Sequence, residues 1–324
     1  MKKFLKIFLL IILLFISVTS FIFRKKIMLT YNIVNNLISL NDNINSYNTF
    51  NLKPDESMSY KNVVYKNTNN AELTLDIYNP LKNIYKKSPV IVYVHGGSWV
   101  YGDKTIPEAL SPVLNIFREN GFTIISTSYE LMKNKENFQK QICDVKDTIR
   151  WIYKNSDSYN LDTDEIGLIG LSSGAHLSLM SAYTSNDQFQ DDSELAKFSS
   201  KVKYIIDFFG PTDLSLLNTS NLNWDLNNIF NSARLKKEDI INEFNPINYV
   251  TSNIPKTLII HSKSDSLVPY ESSLKLYNKC IEANAHAKLF PIENAEHSLS
   301  EISSDDIINL SKEILKFIVT NSPL

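Results

Sequence analysis

The stretch Glu165–Leu179, EIGLIGLSSGAHLSL, decides how the rest of the chain is read. Up to Gly170 it is a short apolar run of the kind that forms a buried strand, and from Ala175 it is a helix-forming run. Two serines between two glycines separate the halves. A strand that turns this abruptly into a helix leaves no space for side chains at the flanking positions, which accounts for Gly170 and Gly174. The pattern is G-x-S-x-G with Ser172 at its centre, where a strained backbone projects the hydroxyl. Ser173 lies off-centre, with its N–H directed at the position of a developing oxyanion. A serine alone attacks nothing at neutral pH, so the remaining question is which base and acid the chain supplies.

Outward from this stretch, strands alternate with helices. The segments 62–66 (NVVYK) and 71–78 (AELTLDIY) read as two strands joined by the turn Thr68–Asn70, and 89–95 (PVIVYVH) as a strand buried on both faces. A helix near 106–119, a strand over 122–128 and a long helix near 136–155 follow, then the opening stretch. Beyond it come strands over 202–210, 256–262 and 287–292, with helices near 270–283 and 304–319. This alternation predicts an α/β fold with a mostly parallel sheet and helices on both faces. Between Thr212 and Val250 the periodicity breaks down, which suits a short cap insertion.

A second motif stands at the end of another buried strand. His95-Gly96-Gly97-Ser98-Trp99 matches the HGG-type loop whose backbone N–H groups hold an oxyanion. Gly97 and Ser98, with Ser173, are the candidate donors. Trp99 and Tyr101 are candidates to wall a substrate pocket, with core packing as the other use for such residues.

All eight glycines lie between Gly96 and Gly210, around these motifs. Residues 1–26 carry six basic residues and no acids, and the remainder holds 27 basic against 35 acidic residues. A body of that sign excludes a nucleic-acid binder, which needs a basic face. Cys143 and Cys280 form neither a metal pattern nor a disulfide framework and read as free buried thiols.

Ile7–Phe23 is 17 residues without a charge, followed by Arg24-Lys25-Lys26 and no small-residue cleavage site. Residues 1–26 are expected to be an uncleaved signal anchor holding an extracytoplasmic body on a membrane; a cleaved signal peptide is the alternative. Residues 27–57, rich in Asn and Ser, read as a stalk or lead-in, and 58–324 as the catalytic domain with the cap insertion at about 212–250.

From about Asn62 onward the chain resembles the α/β-hydrolases of the esterase/lipase group, near the hormone-sensitive-lipase-like and acetyl xylan/feruloyl esterase branch. The residues that carry the resemblance are His95–Trp99 with Gly102-Asp103-Lys104, Gly170–Gly174 with His176-Leu177, Gly210-Pro211-Thr212-Asp213, and the stretch from Pro246 to Pro269. Ser98 stands where an HGGG loop has its third glycine, and Tyr129-Glu130-Leu131 where Tyr-Arg-Leu is usual.

The resemblance implies the chain order Ser…Asp…His, with the acid after the strand that follows the insertion. Asp265, 93 residues after Ser172, and His297, 32 residues further on, then complete the set, both in loops at the carboxyl ends of strands. His297 would take the serine proton, and Asp265 would hold its tautomer. Such a set needs no metal and no organic cofactor.

The other histidines are assigned structural uses. His95 is expected to brace its loop, His176 to lie beneath the turn, and His261 and His286 to be structural or exposed. Asp207 and Asp213 are expected to serve the fold. The implied function is a serine carboxylesterase on small acyl esters, with no nucleic-acid partner. An arylformamidase-like amide hydrolase, suggested by H-G-G-x-W, and an inactive hydrolase fold used as a binding module are the alternatives.

Overall fold

The computed structural model describes residues 58–68, 71–217, 236–297 and 302–321, together with residue 228 and scattered positions before residue 58. Among the described residues the eight strands are β1 (Tyr60–Asn67), β2 (Glu72–Tyr78), β3 (Ser88–Val94), β4 (Thr123–Thr127), β5 (Leu161–Leu171), β6 (Tyr204–Phe208), β7 (Lys256–Ser262) and β8 (Ala287–Ile292). They form one sheet in the order β1-β2-β4-β3-β5-β6-β7-β8. β2 pairs antiparallel with both β1 and β4, and every pair from β4 to β8 is parallel.

After β1, the α-helices among the described residues are α1 (Ser111–Glu119), α2 (Phe138–Asn155), α3 (Ser173–Tyr183), α4 (Lys237–Glu243), α5 (Tyr270–Glu282) and α6 (Ser304–Asn321). Two cores follow from the pleat of the strands. Val90, Val92 and Val94 of β3 join the cluster containing Ile142 of α2, Leu177 of α3 and Leu276 of α5. Ile91 and Tyr93 join the opposite cluster with Phe117 of α1 and Ile314 of α6. Because successive side chains point to opposite faces, an uninterrupted apolar strand is what a sheet covered on both sides requires.

Several boundaries differ from the sequence reading. β5 begins at Leu161, four positions before the apolar run, because Ser88 of β3 pairs with Leu161 across an irregularity in register. The first helix shrinks to α1 preceded by a 3-10 turn, Glu108–Leu110, where Pro107 and Pro112 interrupt regular hydrogen bonding. Cys143 and Cys280 are free and buried, in α2 and α5.

Apart from residue 228, the insertion is described only at its two ends. Its first end holds the 3-10 turn Leu214–Leu216, and its second holds α4 and the 3-10 turn Pro246–Tyr249. The ends are tied together, since Leu214 N–H donates to Asn245 Oδ1 at 2.8 Å and Ile247 N–H to Thr212 O at 3.2 Å. Residues 218–227 and 229–235 lie outside the described residues, as do most of Ile7–Phe23 and of the stalk. Among the described residues no helix is long and apolar enough to cross a membrane. Residues 26–31 are helical; Leu29 is buried in the second core, and Lys26 Nζ donates to Thr320 O of α6 at 3.2 Å.

Candidate active site

The turn between β5 and α3 takes the strained form its sequence predicts. Ser172 has φ 52° and ψ −119°, a conformation that costs a non-glycine residue roughly 1–3 kcal/mol. The surroundings over-determine it. Ser172 N–H donates to Phe208 O of β6 at 2.9 Å, and its own carbonyl accepts from the N–H groups of Ala175 and His176. A Cβ at Gly174 would lie 2.3 Å from the carbonyl oxygens of both Val94 and His95, so only glycine lets α3 abut the end of β3. That contact brings the two sequence motifs together.

The loop after β3 is wound tightly, with Gly97 at φ 126°, Ser98 at 52° and Trp99 at 64°, three successive residues in left-handed conformations. A Cβ at Gly97 would lie 2.1 Å from Tyr101 O. The Gly97 carbonyl accepts the N–H groups of Val100 and Tyr101 at 3.1 and 2.8 Å. Three further bonds fix the loop from outside. Tyr129 OH donates to His95 O at 3.0 Å, and Gln141 Nε2 and Met132 N–H donate to Trp99 O at 2.9 and 3.0 Å.

The structure brings Ser172, His297 and Asp265 into one line. His297 Nε2 lies 2.7 Å from Ser172 Oγ, and its Nδ1 lies 2.8 Å from Asp265 Oδ2. Asp265 Oδ1 accepts the N–H groups of Leu267 and Val268, both at 2.9 Å. Burial opposes charge on this carboxyl, but the hydrogen bonds from His261 and His297 outweigh it and hold it well below the usual carboxylate range. An ionised Oδ2 accepts only, so His297 carries its proton on Nδ1, and Nε2 is open to the serine hydroxyl.

Other candidates fall where the sequence assigned them or elsewhere. His176 is fully buried beneath the turn, its Nε2 2.7 Å from Phe244 O. Trp99 Nε1 donates to His176 Nδ1 at 3.2 Å, so the His176 proton resides on Nε2. Burial lowers its pKa to about 4, which keeps it neutral. Trp99 corrects the expectation of a pocket wall. It is 2% exposed and packs edge-on against Phe138 and His176, because the left-handed turn at Ser98 and Trp99 directs its ring into the core. Tyr101 is 49% exposed at the end of the loop, and Ser173 is buried at the start of α3. Asp207 accepts Gly210 N–H at 2.8 Å and Asp213 caps the turn after it, both in the service of the fold.

Two neighbours of the line escaped the sequence reading. The ring of Phe209, a residue with φ 45°, meets His297 edge-on with centroids 4.7 Å apart. His261, read as structural or exposed, is fully buried with Nε2 3.2 Å from Asp265 Oδ2. The spacing in His261-Ser262-Lys263-Ser264-Asp265 was the available signal, since a histidine at a strand end and an acid just past it can fold back onto each other.

Residues 75–280, well over half the chain, match the BD-FAE family model. The chain belongs to the BD-FAE family. It is 28% identical over 214 residues to Esterase LipC of Mycobacterium tuberculosis, covering 61% of this chain and 50% of LipC. Esterase LipQ of the same organism is 27% identical over 220 residues, 66% of this chain and 51% of LipQ. The BD-FAE chain thus spans about half the length of these relatives. Among solved structures, a truncated carbohydrate esterase from gut microbiota superposes with a TM-score of 0.68 at 25% identity, over 82% of this chain and 98% of that one. Esterase 2 of Thermogutta terrifontis superposes with a TM-score of 0.64 at 22% identity, over 82% of this chain and 96% of that one, and shares the fold. The BD-FAE domain has the α/β-hydrolase fold.

Proposed function

We propose that this BD-FAE chain is a serine hydrolase of small carboxylic esters that works through an acyl-enzyme. The observation that carries the reading is the line from Ser172 Oγ through His297 to Asp265, with steps of 2.7 and 2.8 Å. Those distances lie within the range a nucleophile and its base need for proton transfer. The names of the mycobacterial relatives, both esterases, support the same class.

In this reading Ser172 Oγ attacks the ester carbonyl as its proton passes to His297 Nε2. The carbonyl oxygen becomes an oxyanion, held by the N–H groups of Gly97, Ser98 and Ser173. His297 returns the proton to the departing alcohol, which leaves the acyl group on Ser172. Water then attacks the acyl-enzyme with His297 again as base, releasing the acid and restoring the serine hydroxyl. Asp265 keeps the imidazole in the tautomer each step needs and stabilises the imidazolium. Because the loop after β3 is pinned by Tyr129, Gln141 and Met132, its donors need no reorganisation when charge appears.

The test is hydrolysis of a nitrophenyl acetate together with labelling by a fluorophosphonate. Wild-type protein hydrolyses the ester and is labelled at Ser172, whereas Ser172→Ala loses roughly 10⁴-fold or more in kcat and takes no label. Folded wild-type protein that neither turns over nor labels would instead be a binding module. Faster turnover of a formyl-aniline than of the acetate would move the assignment to an amide hydrolase.

The reading extends to a membrane-held enzyme with an extracytoplasmic body. Its support is the uncharged run Ile7–Phe23, at the short end of the length that spans a bilayer; basic residues flank it on both sides and so do not choose the orientation. Phe23, Ile27 and Tyr31 are more than half exposed, an apolar series at helical spacing continuing that run. Partition of the full chain into the membrane fraction, retained after a high-salt wash, tests it; recovery of a shortened chain from the medium favours a cleaved signal.

A further inference from the structure

An ionised carboxylate offers about four acceptor positions, and those of Asp265 are all engaged. Oδ1 holds two backbone N–H groups. Oδ2 holds two imidazoles, His297 Nδ1 at 2.8 Å and His261 Nε2 at 3.2 Å. The second imidazole comes from β7 itself, one residue before the strand ends.

The protonation of His261 follows from its neighbours. Val268 O, 2.9 Å from Nε2, can only accept, and so can the carboxylate. Nε2 therefore carries the proton; its N–H donates to Val268 O, and the same nitrogen lies 3.2 Å from Asp265 Oδ2. Nδ1 lies 2.6 Å from Ser273 Oγ of α5 and accepts a hydrogen bond from that hydroxyl. His261 and Ser273 are fully buried, so neither can meet a substrate. The ring is further fixed edge-on against Tyr270 of α5, with centroids 5.9 Å apart.

We infer that His261 is a positioning residue for Asp265, extending the line to Ser172–His297–Asp265–His261–Ser273. This deepens the ester-hydrolase reading and rests on it. A second donor on Oδ2 fixes the carboxylate plane toward His297 Nδ1 and draws charge away from the oxygen that His297 faces. Without it, Oδ2 would be more negative, would hold the imidazolium more tightly and would slow delivery of its proton to the leaving group. Asp207 of β6, on the same sheet face because it is in register with Ile259, and Tyr270 of α5 are titratable groups that also face the pair.

The deciding variants are His261→Phe, which keeps a ring and removes both nitrogens, and His261→Gln, which keeps a donor. For His261→Phe, kcat falls about tenfold and the acid limb of the kcat/KM profile moves up by about half a pH unit or more, while KM stays within about twofold. His261→Gln restores most of both. Ser273→Ala moves the limb the same way by less and serves if the Phe variant does not fold. In a Ser172→Ala background the downfield proton resonance between His297 and Asp265 is also recorded, and it shifts with His261→Phe. That resonance needs no turnover, so a protein inactive on esters would leave the inference testable. An unmoved limb and resonance in His261→Phe or Ser273→Ala, or no rescue by Gln, overturns it.

Discussion

Ser172 Oγ and His297 Nε2 stand 2.7 Å apart although 125 positions separate the two residues in the chain. β5, which leads into Ser172, and β8, which precedes His297, are not neighbours; β6 and β7 lie between them. His297 bridges that width because the two intervening strand ends support it. Asp265 beyond β7 holds its Nδ1, and Phe209 beyond β6 flanks its ring. The loop that carries it is tied down in turn, since Ser262 Oγ at the end of β7 accepts the N–H groups of Ala295 and Ser264 at 3.1 and 3.2 Å.

Asp265→Asn retains the shape of the acid and loses its charge. An amide in that position no longer enforces the proton on His297 Nδ1, and kcat on a nitrophenyl ester is expected to fall about 10⁴-fold. Far-UV circular dichroism should be unchanged. Activity within about tenfold of the parent would remove Asp265 from this role.

Gln141 lies wholly inside the protein and joins the loop after β3 to the loop after β4, donating to Trp99 O at 2.9 Å and Glu130 O at 2.8 Å. Gln141→Leu leaves the Glu130 bond unmade and Trp99 O with one donor fewer, a cost of about 1–3 kcal/mol in stability. With the loop less firmly held, kcat is expected to fall about 10-fold or more with a smaller change in KM. Steady-state kinetics and urea melts measure both, and an unchanged kcat would mean that the proposed oxyanion donors do not depend on Gln141.

Lys66 reaches three carboxylates, Asp144 at 2.7 Å, Asp147 at 2.8 Å and Asp191 at 2.5 Å, and Asp147 also pairs with Arg150 at 2.8 Å. Lys66→Met removes the cation that buried Asp144 faces, leaves buried Asp147 with Arg150 alone, and is expected to cost about 3–5 kcal/mol at pH 7. At pH 5 the loss should shrink, because burial has raised Asp147 to about 6 and it takes a proton there. Urea denaturation at the two pH values decides this; a loss under about 1 kcal/mol at pH 7 would mean the cluster contributes little.

Asp207 is fully buried, and its Oδ2 has no hydrogen-bond partner among the described residues. Burial pushes its pKa up to about 7, so the fold favours the neutral acid. The folded state then holds a proton that the unfolded chain releases near pH 4, and stability falls as pH rises from about 4 to 7. Asp207→Asn, neutral throughout, should raise Tm relative to the parent more at pH 8 than at pH 5. Equal differences at the two pH values would contradict the assignment.

Much of this architecture is legible in the residues themselves. The continuous apolar run of β3 gives both its length and its burial on two faces, and β7 and β8 fall on the residues the sequence predicts. The turn at Ser172 is legible because a strand that meets a helix at once needs glycine on both sides, a requirement written in adjacent letters.

The buried charges were not legible in the same way. Strict alternation along β1 cannot bury both Tyr65 and Lys66, yet both are 5% exposed, because irregularities in the pairing with β2 shift the register before Val63 and before Lys66. Asp144, Lys146, Asp147 and Arg150 of α2 look like a solvated helix face but are wholly buried. Their partners come from β1 and from the chain after α3.

The sequence by itself determined the strand–turn–helix punctuation and the two glycine-bearing loops, because each depends on neighbours along the chain, while the order of serine, acid and histidine came from the family resemblance. Only the tertiary structure decided which side chains meet: the indole of Trp99 with His176, Phe209 with His297, and a second imidazole on Asp265. Those partners are brought together by strand order and loop packing, and residue type alone says what a group can bond to, not what lies beside it.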